Sequence, residues 1–110
     1  MTLRFDLVIN QGADFSVTFP VLDTGDQPQD LAGWSARAQV RDRDTDPEPL
    51  HDFADELAVT ESDIVLTVPA AVSSAWSWTH GRYDLELVSP SGGVTRLVEG
   101  AVIMRPEITR

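Results

Sequence analysis

Cysteine is absent from this sequence of 110 residues. That excludes a disulfide framework and a thiolate metal site, and with them the usual class of small secreted domains. Basic residues are scarce, eight against eighteen acids, and the formal net charge is -10. Such an excess repels phosphate backbones and anionic lipid, so neither nucleic acid nor membrane is an expected partner. Long apolar runs are missing too. No stretch approaches the length that crosses a bilayer, and Met1 to Asp6 lack the apolar block of a signal peptide, so synthesis and residence in a cytoplasm are expected. Helical periodicity is confined to Ala70–Trp76 behind Pro69, a turn or two near 70–77.

What is present is alternation. The 42% apolar content fits one globular domain over 1–110 whose core must hold without a covalent staple. Leu3, Phe5, Leu7 and Ile9 recur at period two, and Phe15, Val17, Phe19 and Val21 repeat the pattern after a break at 10–14, a hairpin or strand pair with Pro20 at an edge or a frayed end. DTGDQPQDLAG, between Leu22 and Gly33, reads as turn and loop. Trp34, Ala36, Ala38 and Val40 give the next strand an apolar face, with Trp34 as a core plug and Arg37, Gln39 and Arg41 on the polar side.

The stretch 41–56 reads as an exposed, charged excursion with a short strand near 50–53. Leu57–Thr60 and Ile64–Val68 form a strand pair, with Ile64, Leu66 and Val68 buried. Tyr83, Leu85 and Leu87 point inward on the following strand, and Ser89–Gly93 supply its hairpin turn. Leu97 has the opposite parity from Val102 and Met104, which places a bulge at Glu99–Gly100.

About seven short strands with one helical turn predict an all-β, immunoglobulin-like antiparallel sandwich with Greek-key connections. Ile64–Val68 and Gly81–Leu85 match the strands flanking the E–F corner of such domains. Tyr83 would bond back to that corner, Leu85 would stand where the second cysteine falls, and Trp34 would occupy the C-strand tryptophan position.

Chemistry is thin. His51 and His80 fall in expected loops, away from any nucleophile motif, and no phosphate loop or zinc pattern is present. Asp42, Asp44 and Asp46 have the spacing that opens a calcium loop, but Pro47 and Phe53 stand where glycine and a bidentate glutamate are needed. No catalytic residue, cofactor or metal is expected. Trp76 and Trp78 can pack at the sandwich rim, serve a protein interface, or stack on sugar rings as in carbohydrate-binding modules.

Four elements carry a resemblance. They are Gly12–Phe15 with Ala13 inserted into a G-D-x-F opening, Asp30–Arg41 (DLAGWSARAQVR), Gly81–Leu85 (GRYDL), and Leu97–Arg110 (LVEGAVIMRPEITR). Together they resemble a family of small immunoglobulin-like proteins encoded among the tail and baseplate genes of tailed bacteriophages and prophages. The resemblance implies a virion component without catalytic role, assembled in several copies with other virion proteins. A capsid decoration protein and a carbohydrate-binding module using Trp76 and Trp78 are the alternatives. The residues expected at interfaces are Arg37, Gln39, Arg41, Trp76, Trp78, Arg105 and Arg110.

Overall fold

The computed structural model describes residues 2–43 and 46–109. Among the described residues nine strands and one short helix follow in the order β1 (Leu3–Arg4), β2 (Leu7–Asn10), β3 (Phe15–Pro20), β4 (Ser35–Arg41), β5 (His51–Asp52), β6 (Leu57–Val59), β7 (Asp63–Val68), α1 (Ala70–Ser73), β8 (His80–Val88) and β9 (Val94–Arg105). They form two sheets. The large one runs β1-β9-β8-β4-β5, with β2 also on β9, and the small one runs β3-β7-β6. The chain crosses between the sheets after β2, β3, β5 and β7, so each strand's apolar side meets the other layer.

The core between the layers is filled from both. Leu7, Ile9, Val40, Leu85, Val98 and Val102 come from the large sheet, and Ile64, Leu66 and Val68 from the small one. Burying each such aliphatic side chain stabilises the fold by roughly 1.5–3 kcal/mol, which replaces the missing disulfide. The E–F comparison places its two strands correctly: β7 and β8 lie in opposite sheets, with Leu85 buried. Among the described residues no helix is long and apolar enough to cross a membrane.

Several expectations need correction. The strand beginning at Leu3 is two strands, both parallel to β9, broken at Phe5 and Asp6. Leu3 and Phe5 are exposed while Leu7 and Ile9 are buried. β2 and β3 are not a hairpin. Each carries an inward apolar row, and pairing with β9 and β7 respectively lets both rows face one core. Trp34 stands just before β4 and is only half-buried; the aromatic plug is Phe53, fully buried at the end of a stretch read as exposed. His51 and His80 lie on β5 and β8 rather than in loops. The helix covers four residues, with Pro69 at its N-cap in extended conformation.

The bulge also moves. Leu85 pairs with Val98 and Glu86 with Arg96, so the extra residue is Leu97 itself. Gly100 stays in register opposite Tyr83 and serves a different need. A Cβ there would sit 2.3 Å from the Phe5 carbonyl oxygen, so only glycine admits the chain break between β1 and β2. Tyr83 completes this junction. Its hydroxyl donates to the Phe5 carbonyl instead of the E–F corner, Phe5 N–H donates to Glu99 O, and Ala101 N–H donates to Asp6 Oδ1. Burial, with Asp6 adding to it, raises the phenol well above its ordinary value.

Candidate functional site

Three surfaces compete for a functional role. The outer face of the large sheet carries the polar sides of β4, β8 and β9, because their apolar sides alternate into the core. Arg37, Gln39 and Arg41 are brought together here as expected. Arg37 lies opposite Glu86 and donates from Nε to its Oε1 at 2.7 Å. Gln39 donates to Asp52 Oδ2 at 2.9 Å, and Arg41 donates to Gln39 Oε1 at 2.6 Å and to the Asp46 carbonyl at 2.9 Å. Arg96 on β9 lies 3.2 Å from Asp84.

A depression of about 190 Å³ lies over this face, lined by Arg41, Arg82, Asp84, Arg96 and Glu99 among others. Partial burial raises the Asp84 carboxyl, with the neighbouring Glu86 charge second, while Arg96 pulls it down. All eight basic residues of the chain are arginines, and four of them (37, 41, 82 and 96) stand on this face. Acids are interleaved with them, so the face is a mosaic of both signs. Of the calcium-like triad, Asp46 accepts from the Arg43 N–H, Asp44 lies outside the described residues, and among those described no group of three potential metal ligands forms.

The second surface is the aromatic end. Trp76 is 7% exposed and stacks on Trp78 with ring centroids 4.7 Å apart. His51 packs on both Trp76 and Phe53, and its Nε2 meets Glu56 Oε1 at 2.5 Å. The buried Ser73 hydroxyl accepts from Gly12 N–H, and Gln11 ties the Trp76 carbonyl to the Glu107 N–H. Trp76 therefore plugs the end of the sandwich, with one ring face stacked on Trp78 and His51 tilted against the ring. The indole N–H of Trp78 is buried without a hydrogen-bond partner among the described residues. The His51–Glu56 pair was not legible in the sequence, since both residues sit in a charged stretch with no periodicity to mark an inward side.

The third surface is the open flank between β1 and β3. Leu3 (58% exposed) and Phe5 (46%) stand beside Val17, Phe19, Pro20 and Val98 around a cleft of about 290 Å³. Phe5 and Phe19 meet edge to face with centroids 5.9 Å apart. None of these residues was among the expected interface set. The signal was there in FSVTFPVL, 15–22, an uncharged run in a chain that is 24% charged. Of the expected tail residues, Arg105 is not among those lining this flank. Arg105 closes β9, Ile108 beyond it is 94% exposed, and Arg110 lies outside the described residues.

The chain matches no family model and no curated protein sequence. Among solved structures it is similar to a chicken TCR, with a TM-score of 0.59 and 13% sequence identity, over 98% of this chain and 57% of that one. The chain thus spans little more than half the length of that structure's chain. At that identity the likeness is one of fold, and it joins the sheet topology in making this protein an immunoglobulin-like β-sandwich.

Proposed function

We propose that this protein is a non-enzymatic structural component of a bacteriophage particle, in the tail or baseplate, acting through protein–protein assembly. The observation that carries the reading is the open flank, where exposed Leu3 and Phe5 border an uncharged edge strand. Apolar surface of this kind, rimmed by polar residues, belongs to protein contacts. The sequence elements that resemble the phage family support it by position: Asp30–Arg41 builds the approach to β4 and β4 itself, Gly81–Leu85 builds β8, and Leu97–Arg110 builds β9 and the tail. Those three strands are neighbours in the large sheet, so these elements frame one scaffold, and the remaining element, Gly12–Phe15, leads into β3 at the flank.

The test is co-expression with the genes beside it, followed by native mass measurement and by labelling of purified particles. A stable complex and label at the tail are expected. Particles that assemble fully and infect without the protein in them would remove the proposal, and label on the capsid would move it to a decoration role.

A further inference from the structure

We infer that the protein pairs with a second copy of itself through β3, the two strands running antiparallel about a twofold axis at Val17. The inference names one partner within the assembly role proposed above and rests on that reading for its place in a particle. The pairing itself follows from the strand.

β3 is the unprotected edge of the molecule. It pairs with β7 on one side, over six residues without a bulge, and among the described residues nothing pairs with its other side. The remaining edges are shorter: β2 has four residues, β6 three, and β1 and β5 two each. Edge strands are ordinarily guarded by charge, bulges or brevity. β3 carries no charged residue, and its single guard, Pro20, stands at its last position.

The open hydrogen-bonding groups can be assigned. Val21 N–H donates to Ser62 O, in line with the β3–β7 register, so the odd residues Phe15, Val17 and Phe19 direct their N–H and C=O groups to β7. Thr67 N–H donates to Glu56 on the far side of β7, which agrees with this alternation. Ser16 and Thr18 therefore direct theirs outward, to the free edge.

The sequence of β3 complements itself. In Phe15-Ser16-Val17-Thr18-Phe19, an antiparallel copy centred on Val17 sets Ser16 against Thr18 of the second copy and Phe15 against its Phe19. Ser16 and Thr18 are the residues with outward groups, so this register makes both of their pairs hydrogen-bonded ones. Shifting the axis toward Pro20 would set a residue without an N–H in the ladder, and shifting it toward Asp14 would bring a charge in. The same contact would cover the half-buried Phe15 and Val17, on the flank where Leu3 and Phe5 are exposed. An isologous contact closes on itself, giving a dimer rather than a fibre.

The experiment uses the full chain. Sedimentation and light scattering are expected to find a species of about 24 kDa, twice 12.1 kDa. S16K/T18K sets lysine against lysine on the solvent face and should give a monomer, while S16E/T18K sets unlike charges opposite each other and should restore the dimer. Because the chain has no cysteine, V17C offers a clean cross-link. Cα atoms of a non-hydrogen-bonded antiparallel pair lie about 4.5 Å apart, within disulfide reach. Oxidation should therefore join V17C copies at least about tenfold more efficiently than S16C copies, which lie diagonally out of reach. A 12.1 kDa monomer up to millimolar concentration would overturn the inference. So would a dimer indifferent to S16K/T18K, or one that cross-links equally at positions 16 and 17. A monomer nonetheless present in particles would sink the pairing and leave the virion role standing; a dimer absent from particles would do the reverse.

Discussion

On the outer face of the large sheet, Arg37 meets Glu86 and Arg96 meets Asp84 across neighbouring strands. The flank beside β3 offers Leu3, Phe5 and Phe19 around a cleft with Arg4 as its only charge. Both surfaces are built from strands with the same period-two rule, yet they solve the solvent side differently. On β8 and β9 the inward row from Gly81 to Leu87 and from Val98 to Met104 is buried, and the outward row of β4, β8 and β9 carries paired charges, so this face is finished as it stands. On the flank the two sheets part, and inward-pointing residues are left half covered. An alternating pattern therefore tells which side of a strand is apolar, but not whether another layer reaches it.

The strongest way to sharpen this contrast is to truncate one phenylalanine on each side. Phe53, fully buried beneath the edge of the large sheet, should cost about 3–5 kcal/mol as Phe53→Ala, measured by urea unfolding. Phe5→Ala, at the flank and at low protein concentration, should cost about 1 kcal/mol or less. Equal losses would mean that the flank is as closed as the core.

Tyr83 joins the two regions, reaching from β8 to the carbonyl at the β1–β2 break. Tyr83→Phe leaves that carbonyl unsatisfied and should destabilise by about 1–3 kcal/mol. The phenol's folded value is raised, so its contribution is complete below the ordinary value of 10.0 and is lost as the pH climbs beyond it. Wild-type stability should fall in that alkaline window and Tyr83→Phe should lack the fall. Tyr83 is the only tyrosine, which makes tyrosinate absorbance an unambiguous readout.

On the charged face the expected effects are small. A double-mutant cycle of Arg37→Ala and Glu86→Ala should give a coupling of about 0.2–1 kcal/mol that shrinks with salt, since both side chains remain in contact with water. Asp84 is the finest probe. Its raised carboxyl means that the folded state holds the proton more readily than the unfolded one, so stability is lost as the pH rises through the folded value. Relative to wild type, Asp84→Asn should gain stability on going from below 3.8 to neutral pH in thermal unfolding, the smallest effect of the set because the carboxyl stays partly in water.

Much of this contrast was legible beforehand. The inward set Ile64, Leu66, Val68, Leu85, Val102 and Met104 follows from alternation alone, and all six are buried. The Ser89–Gly93 turn was marked by its glycines, and Gly92 takes a positive φ of 93° there. The polar row of Arg37, Gln39 and Arg41 was likewise visible. What escaped were features decided by position along the third dimension. Trp34 and Trp76 are the same residue type, but Trp34 is set ahead of its strand while Trp76 closes the end of the sandwich. Phe53 is anchored by its N–H to the Ala38 carbonyl, a contact across a loop that no local pattern announces.

The order of apolar and polar residues, with turns at glycine, proline and aspartate, determined by itself that this chain makes short strands and which side of each is greasy, because side-chain direction in a strand depends only on residue parity. Tertiary structure alone decided the partners of those strands. It assigned β2 and β3 to different sheets, turned Gly100 into the seat for a crossing backbone, and among the described residues left one side of β3 unpaired. The reason is that pairing and coverage are settled by the competition of every strand for a place in two layers, a contest whose outcome no single segment contains.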